Sequence, residues 1–366
     1  MQTEPRIAAL TYSAVLRTAV AAVLVGAGAC GGPVDLPIPP GSKYVPSAWP
    51  SAWPGEAVGL VVVSESLWRI EDGAIGSCSR SSIYSVRADS VAVLRRGWGT
   101  PACKARVDQG GIRGKPDGSE AILVSDGRLV RWQFAKGAVL DVSLPAGTDP
   151  HWPAWMPDQK SLVFVSALRA QPNGGRRSGD AIFLVPPSGG DGRVVFSIPD
   201  RKVVSAPSSD PQQRRMVVAT RSASGIPDSS PPEIVVLSPT DLTPGALVNG
   251  YDPVWSPTGE WIAYIARGRT NVKLPALLDG SSGPEVFFGE LRVIRPDGRD
   301  DHVLAQGSTR LRVQAAGAFE GVPSAPLVWK SDGAALAFAS ASETGVAVWT
   351  VSIARPIAVK ASAPPP

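Results

Sequence analysis

The chain has 366 residues, a formal net charge of +4 and 43% hydrophobic residues, so it can bury a sizeable core. Its 38 glycines and 36 prolines exceed what a helical bundle tolerates, and they favour many short strands joined by turns. Charges of both signs are interspersed along the chain, which excludes the clustered basic surface typical of a nucleic-acid-binding protein.

The N-terminal segment has the pattern of an export signal. Arg6 and Arg17 precede the uncharged stretch 18–29, which ends in small residues directly before Cys30. This stretch is shorter than the about 20 residues that a membrane-spanning helix needs. Small residues before a cysteine resemble a bacterial lipobox, in which the thiol is diacylated. We predict a leader at residues 1–29 that is removed, lipidation of Cys30, and a position on the extracytoplasmic side of a bacterial cell membrane. An ordinary secretory leader and an uncleaved anchor are the alternatives.

A proline-rich segment follows Cys30. It shows no strand-like periodicity, and we predict a semi-extended tether over residues 30–56. The sequence Ser-Ala-Trp-Pro occurs there twice in succession, which makes Trp49 and Trp53 candidate contacts for a partner or for lipid headgroups. Packing of these two side chains against the following domain is the alternative.

The cysteines that remain after Cys30 are Cys78 and Cys103. Because an exported chain meets oxidising conditions, we predict a disulfide between them, with two buried free thiols as the alternative. In the chain-entropy model such a bridge contributes on the order of 3 kcal/mol. The histidines and cysteines lack the spacing of a metal site, so we predict no metal and no cofactor.

Apolar runs too short for helices alternate with turn residues from residue 57 onward, which is typical of buried strands. Several turns lead at once into such a run. They read KPDGSEAILVS from Lys115, WMPDQKSLVFVS from Trp155, WSPTGEWIAYIA from Trp255 and WKSDGAALAFAS from Trp329, and a copy with the turn DPQQ precedes Met216. A period of roughly 40 to 75 residues indicates an array of repeats. Six groups of strands predict an all-β, six-bladed β-propeller over residues 57–360, followed by a disordered tail at 361–366.

These copies resemble the repeats of TolB-type β-propellers. In that family the turn precedes an inner strand of a blade, and the aromatic residue before it packs between blades. The resemblance covers about residues 57–360 and implies a fold, with little information about the ligand. TolB itself carries a further α/β domain before its propeller, for which the segment after Cys30 is too short. The same repeats form the non-catalytic half of prolyl-oligopeptidase-type enzymes, but the chain contains no G-x-S-x-G motif.

The repeated polar and aromatic residues have structural interpretations. Aspartates at turns are expected to accept backbone N–H bonds, with metal ligation as the alternative. They are Asp117, Asp158, Asp297 and Asp332. The tryptophans at one repeat position are expected to pack between blades, with ligand stacking as the alternative. They are Trp155, Trp255 and Trp329. His151 precedes a blade, where a residue of the central channel could lie.

One repeat interval is longer than the others, and its surplus falls mostly in residues 268–289. Insertions in repeat proteins map to loops on one face, and a long loop on a rigid scaffold is a candidate for binding. The candidate binding residues of this insert are Asn271, Lys273, Asp279, Glu285, Phe287 and Phe288.

The chain offers no set of nucleophile, base and orienting group. We therefore expect a non-catalytic binding module at the cell envelope, with a protein, a peptide or a glycan as its ligand and no role for nucleic acid. One alternative is a lactonase-like or lyase-like enzyme, which would need several carboxylates or imidazoles around a metal in the channel. Another is a structural organiser of an envelope complex.

Overall fold

The structure is a computed structural model, and the elements that it describes are β-strands. It describes residues 47–52, 59–71, 74–86, 91–98, 112–167, 179–223, 231–239, 245–273, 285–306, 312–313, 327–342 and 345–353. Side chains are described within 112–167, 179–223, 231–239, 245–266, 289–304 and 327–338, and at 351 and 353. Over these residues, no helix combines the length and the apolarity needed to cross a membrane.

The strands form successive antiparallel sheets in chain order. Sheet I contains β1 (Ser47–Ala52), β2 (Gly59–Glu71), β3 (Ala74–Val86) and β4 (Val91–Trp98), paired in that order. Sheet II contains β5 (Arg113–Gly114), β6 (Glu120–Ser125), β7 (Arg128–Gln133) and β8 (Val139–Asp141), also paired in order. Sheet III contains β9 (His151–Trp155), β10 (Leu162–Ala167), β11 (Gly179–Val185) and β12 (Arg193–Pro199).

The next two sheets have additional strands. In sheet IV, β13 (Arg201–Val203) and β14 (Ser208–Ser209) both pair with β15 (Met216–Ser222), which is followed by β16 (Glu233–Leu237) and β17 (Ala246–Asn249). Sheet V begins with β18 (Tyr251–Trp255), β19 (Ile262–Lys273), β20 (Glu285–Ile294) and β21 (His302–Gln306), which we call its first half. Its second half consists of β22 (Arg312–Val313), β23 (Val328–Trp329), β24 (Ala335–Ser342) and β25 (Gly345–Ser352), and β22 joins β20 to β24.

Sheets II to V pack against one another in succession through buried apolar clusters, as do the two halves of sheet V. Sheets II and III share Ile122, Val124, Leu129, Val142, Leu162, Phe164 and Val185. Sheets III and IV share Trp152, Met156, Val163, Val165, Ile182, Ile198, Val203, Met216, Val218, Val235 and Leu237. Sheets IV and V share Val217, Ala219, Ile234, Trp255, Ile262, Tyr264 and Ile294. The two halves of sheet V share Trp261, Ala263, Ile265, Leu291, Val293, Leu327, Trp329, Leu336, Phe338 and Val351.

The second strand of each of these sheets is buried on both faces. In β10, Leu162 and Phe164 belong to the cluster with sheet II, whereas Val163 and Val165 belong to the cluster with sheet IV. Successive side chains of a strand point to opposite faces, so a strand between two neighbouring sheets must be apolar throughout. The predicted buried strands after the turns are thus confirmed, and the arrangement is all-β and propeller-like, with sheets II, III, IV and the first half of V as four blades.

We call the strands β1, β5, β9, β14, β18 and β23 the inner strands. Several inner strands of neighbouring sheets lie side by side. β5 lies beside β9, and β14 lies beside β18. β1 lies beside both β5 and β23, so the first sheet contacts the second sheet and the last strands of the chain. The last strands of the chain therefore lie next to the first sheet.

The predicted tether is wrong over Ser47–Ala52, because these residues form β1. β1 pairs with β2 from Ser47 opposite Ser64 to Ala52 opposite Leu60, with a register shift between Pro50 and Ala52. A proline is tolerated in an edge strand or at a bulge, and β1 lies at the edge of sheet I. The predicted leader, the rest of the tether and the predicted tail lie outside the described residues.

The insert at 268–289 is also not wholly a loop. β19 continues to Lys273 and β20 starts at Glu285, so its described ends form the two arms of an antiparallel hairpin. Asn271 pairs with Phe287 and Lys273 with Glu285, beyond a register shift between Arg267 and Asn271. Thr270 and Val272 on one arm and Val286, Phe287 and Phe288 on the other are residues that favour strands, which is consistent with pairing that extends into the insert.

Candidate functional site

Five turns in the described part of the chain have one geometry, and each joins an inner strand to the buried strand after it. They span residues 115–120, 156–161, 210–215, 256–261 and 330–335. In each turn the first N–H donates to the sixth carbonyl and the fourth N–H donates to the first carbonyl, at 2.7 to 3.0 Å. The fourth residue has a φ between 57° and 77°, which is the left-handed residue that follows a type I turn. Each inner strand therefore has the same register relative to the turn that follows it in all five copies.

The four aspartates that were expected at turns act as predicted, and Asp297 lies in the turn between β20 and β21 and not in one of the five turns above. Asp117 Oδ1 accepts the Ser119 N–H at 2.9 Å, and Asp158 Oδ1 accepts the Lys160 N–H at 2.9 Å. The equivalent bonds reach Asp297 from Arg299 and Asp332 from Ala334, at 3.0 and 2.8 Å. Burial by itself raises the pKa of Asp117, but hydrogen bonds from Lys115 and Ser119 outweigh burial and lower it. The turn role is confirmed.

The repeated tryptophans lie between blades, which confirms their predicted packing. Trp255 and Trp329 are buried within the clusters on either side of sheet V's first half, and Trp155 packs against the cluster between sheets II and III. Lys115 Nζ lies 5.5 Å from the centre of the Trp155 ring, and the Arg215 guanidinium lies 4.8 Å from that of Trp255. Each cation belongs to the preceding sheet, so it adds a contact across the blade boundary.

Equivalent residues of five inner strands meet around one cavity of about 160 Å³. The shared position lies two residues before each turn. The residues there are Arg113, Ala154, Ser208, Val254 and Val328. Because repeated positions line one space, this cavity lies where the blades converge, and we call it the axial cavity. The other described residues that line it are Gly114, Pro116, Trp155, Ala206, Pro207, Asp252, Pro253 and Leu327.

Two charged residues stand out in this lining, Arg113 of sheet II and Asp252 of sheet V. Burial lowers the pKa of the Arg113 guanidinium to about 10, and the attraction of Asp252 opposes that shift. Arg113 therefore remains charged at neutral pH. Asp252 is buried, with 6% exposure, and its φ is 48°, in the left-handed region, directly before Pro253. A strained conformation at a buried charge is a feature of functional sites.

Trp155 also lines the cavity and carries a polar group of its own. Its indole Nε1 is buried and has no hydrogen-bond partner among the described residues. The equivalent groups are satisfied, since Trp329 Nε1 donates to Val254 O at 3.2 Å and Trp255 Nε1 to Gly259 O at 3.4 Å. A buried donor without an acceptor is uncommon and calls for a specific explanation.

His151 lies outside this lining, at the start of β9. Its Nε2 is 3.3 Å from Asp149 Oδ2, and both side chains are partly exposed. Nearby, burial raises the pKa of Asp180, although a hydrogen bond from the Val203 N–H and the charges of His151 and Lys202 oppose the rise. Over the described residues, no group of three or more His, Cys, Asp or Glu could hold a metal ion.

The residues singled out in the sequence are dispersed. Cys78 lies in β3 opposite Leu67, and Trp49 lies in β1 opposite Val62. The insert residues Asn271 and Lys273 lie in β19, and Glu285, Phe287 and Phe288 lie in β20. Cys30, Trp53, Cys103 and Asp279 lie outside the described residues. The lipidation, the disulfide and the binding role of the insert therefore stay predictions.

Sequence reasoning missed Arg113 and Asp252. The available signal was register: aligning the inner strands on their turns places Arg113 at the position of Ala154, Ser208 and Val254. A charge where the other copies have small or apolar residues distinguishes that copy. Asp252 is equivalent to Trp152, which also has a positive φ of 49° and also precedes a proline.

The chain matches no known protein-family model and no curated protein. Solved structures that resemble it include a putative TolB from Agrobacterium tumefaciens, with 16% identity, 72% of this chain and 81% of that chain covered, and a TM-score of 0.48. Oligogalacturonate lyase from Vibrio parahaemolyticus has 12% identity, coverages of 86% and 92%, and a TM-score of 0.47. The β-propeller domain of the Trilobed protease from Pyrococcus furiosus has 13% identity, coverages of 86% and 85%, and a TM-score of 0.41. Likenesses this distant carry no argument about activity, and the fold assignment rests on the sheets and clusters above.

Proposed function

We propose that the protein is an exported, lipid-anchored β-propeller of six TolB-type blades, and that it acts as a non-catalytic binding module at the cell envelope. Its ligand is a protein, a peptide or a glycan, part of which enters the axial cavity. The axial cavity carries this proposal, because inner strands of five repeats converge on it and it contains the charged pair Arg113 and Asp252. Concave sites with few, well-placed polar groups are typical of ligand binding.

The blade number is supported by the neighbours of β1. Sheet I and the second half of sheet V would be the two blades that complete the ring, since β1 lies beside both β5 and β23. Trp49 in β1 would then belong to an inner strand and not to a tether.

The anchor is supported by the sequence around Cys30. Basic residues, an uncharged stretch and small residues precede this cysteine in the order that export and lipidation require. We expect wild-type protein to sediment with membranes and to incorporate radiolabelled palmitate. The Cys30→Ala variant should do neither, and equal membrane association of the variant would contradict the anchor.

Photo-crosslinking in intact cells tests the binding role. A photoreactive amino acid at Pro116, an exposed residue at the cavity, should capture a specific envelope component. The matched control is the same group at Lys136, an exposed residue between β7 and β8 that does not line the cavity. Equal capture from both positions, or from neither, would contradict binding at the cavity. Turnover of a captured glycan or peptide by purified protein would replace the binding role with an enzymatic one.

A further inference from the structure

We propose that the axial cavity recognises a small carboxylate with an adjacent N–H donor, which is the chemistry of a free α-amino acid or of the C-terminal residue of a peptide. This inference rests on the proposed function, in that it takes the axial cavity as the binding site. It adds the class of the group that enters the cavity.

The donors of the cavity wall come from two neighbouring sheets. Arg113 of β5 lines the cavity and carries a planar guanidinium, whose geometry suits carboxylate and phosphate groups. Trp155 of β9 presents the indole N–H that has no acceptor among the described groups. A carboxylate bound in the cavity, with a small tilt of the indole ring, would accept a hydrogen bond from Trp155 and would be attracted by the charge of Arg113.

The acceptor of the cavity comes from sheet V. Asp252 lines the same space, and its charge attracts Arg113 electrostatically. A simple anion bound to Arg113 would therefore place a second negative charge near Asp252, which is unfavourable at short range. A ligand with its own donor next to its carboxylate avoids this cost, because an ammonium or amide N–H can bind Asp252 while the carboxylate binds Arg113.

The remaining lining fits a ligand of this kind. Pro116, Pro207 and Pro253 supply no backbone N–H, so they add no donors that would favour a second anionic group. Ala154 and Val254 offer apolar surface for a short side chain. A cavity of about 150 Å³ admits benzene, so this one of about 160 Å³ accepts a single residue and excludes a folded domain.

Four small probes separate the parts of this recognition. L-alanine carries both groups, N-acetyl-L-alanine imitates a peptide C-terminus, propionate lacks the donor, and L-alaninamide lacks the carboxylate. Binding to the purified full chain is measured by ligand-observed NMR titration. We expect L-alanine or N-acetyl-L-alanine to bind at least tenfold more tightly than propionate and L-alaninamide. Which of the two binds more tightly distinguishes a free amino acid from a peptide end.

Three variants connect the binding to the cavity. Trp155→Phe removes the indole N–H and should weaken the better probe about ten- to hundredfold, because a hydrogen bond to a charged group contributes about 1.5 to 3 kcal/mol. Asp252→Asn should reduce the preference for L-alanine over propionate, and asparagine tolerates the left-handed φ at this position. Trp255→Phe is the control, since Trp255 lies outside the lining, and should leave the affinity unchanged.

Several outcomes would overturn the inference. Propionate that binds as tightly as L-alanine removes the donor requirement, and equal losses in Trp155→Phe and Trp255→Phe remove the role of the cavity wall. If no probe binds while the crosslinker at Pro116 captures a partner, the ligand class is wrong and the proposed function stands. If neither occurs, both fail together.

Discussion

The repeated tryptophan shows how one position acquires different roles in different copies. Trp255 and Trp329 each donate their indole N–H to a carbonyl, whereas Trp155 has no acceptor among the described residues. All three contribute apolar surface between blades. The unpaired donor of Trp155 lowers the stability of the ligand-free protein, because a buried polar group without a partner costs about 1 to 3 kcal/mol.

Phenylalanine substitutions measure this cost. Trp155→Phe removes a donor without a partner, while Trp329→Phe removes one that is bonded to Val254 O at 3.2 Å. Both variants lose similar ring volume, so we expect Trp155→Phe to be the more stable by about 1 to 3 kcal/mol. Urea unfolding followed by intrinsic fluorescence measures the difference. Equal stabilities would mean that the Trp155 N–H has an acceptor in solution.

Asp180 makes stability depend on pH. Its pKa is raised above the ordinary value of 3.8, mainly by burial, so the folded protein holds this proton more tightly than the unfolded chain. The stability that the protonated group contributes is present at acid pH and is lost as the pH rises through 3.8 to the folded pKa. Asp180→Asn should therefore flatten this decline, because asparagine stays neutral and still accepts the Val203 N–H.

The same unfolding series can include a matched variant. The pKa of Asp117 is lowered below 3.8, so its contribution to stability is present above that value and lost as the pH falls. Asp117→Asn should therefore reduce the loss of unfolding free energy as the pH falls below 3.8. Identical profiles for Asp180→Asn and Asp117→Asn would contradict the assignment of opposite shifts.

At the scale of elements, the turn after each inner strand is the unit that sets the fold. Its fourth position is glycine in some copies and glutamine in others, with Gln159 and Gln213 both at a φ of 57°. A Cβ on Gly333 would lie 2.9 Å from Thr258 Cγ2, so turns of successive blades touch each other. Turn geometry therefore affects both a blade and its neighbour.

Glycine substitution at the glutamine copies tests this view. Gln159→Gly and Gln213→Gly should each raise the free energy of unfolding by about 0.5 to 1 kcal/mol, since glycine adopts positive φ without a steric cost. The reverse change, Gly118→Gln, should lower it by a similar amount. Thermal unfolding of the three variants measures both directions, and a loss of stability in both glycine variants would contradict the turn assignment.

Strands buried on both faces were predictable from the sequence, because neighbouring blades force continuous apolar runs such as Leu162 to Val165. Strands at edges were less predictable. β1 contains Pro50, and a proline argues against a strand unless the strand lies at the edge of a sheet. Whether a strand lies at an edge depends on the arrangement of the whole sheet. The insert was predicted as a loop because its two ends, which pair with each other, are separated in sequence by the segment 274–284.

At the scale of the whole molecule, β1 links the two ends of the described fold. It lies beside β5 near the start of the chain and beside β23 and β24 near its end. Its loss would leave β2 as an unpaired edge and separate the first sheet from the last strands. The contacts of β1, a strand of six residues, therefore connect the first sheet both to the second sheet and to the last strands of the chain.

Deletion variants test the role of β1 in closing the ring. Removing residues 31–52, which include β1, should lower the Tm by several degrees and promote association through the exposed edge of β2. Removing residues 31–46, the part of the predicted tether before β1, is the control and should leave the Tm unchanged. Equal Tm values for the two variants would show that β1 is dispensable for closure.

The axial cavity could not be predicted from single motifs. Arg113 and Asp252 are separated in sequence by two complete sheets, and the ring topology brings them to the same lining. Their positions become informative when the inner strands are aligned on the five turns, which requires knowing that these strands line one space. Local patterns therefore predicted the blades, and the site depends on how the blades meet.

Filling the axial cavity tests the central claim most directly. Ala154→Phe adds a benzene-sized ring to a cavity of about 160 Å³, which is comparable to a cavity that benzene fills. The control is Ala135→Phe, at an exposed residue that does not line the cavity. Capture by the crosslinker at Pro116 is measured in both variants after circular dichroism confirms that each is folded. We expect Ala154→Phe to lose capture and Ala135→Phe to keep it, whereas undiminished capture by Ala154→Phe would contradict binding in the axial cavity.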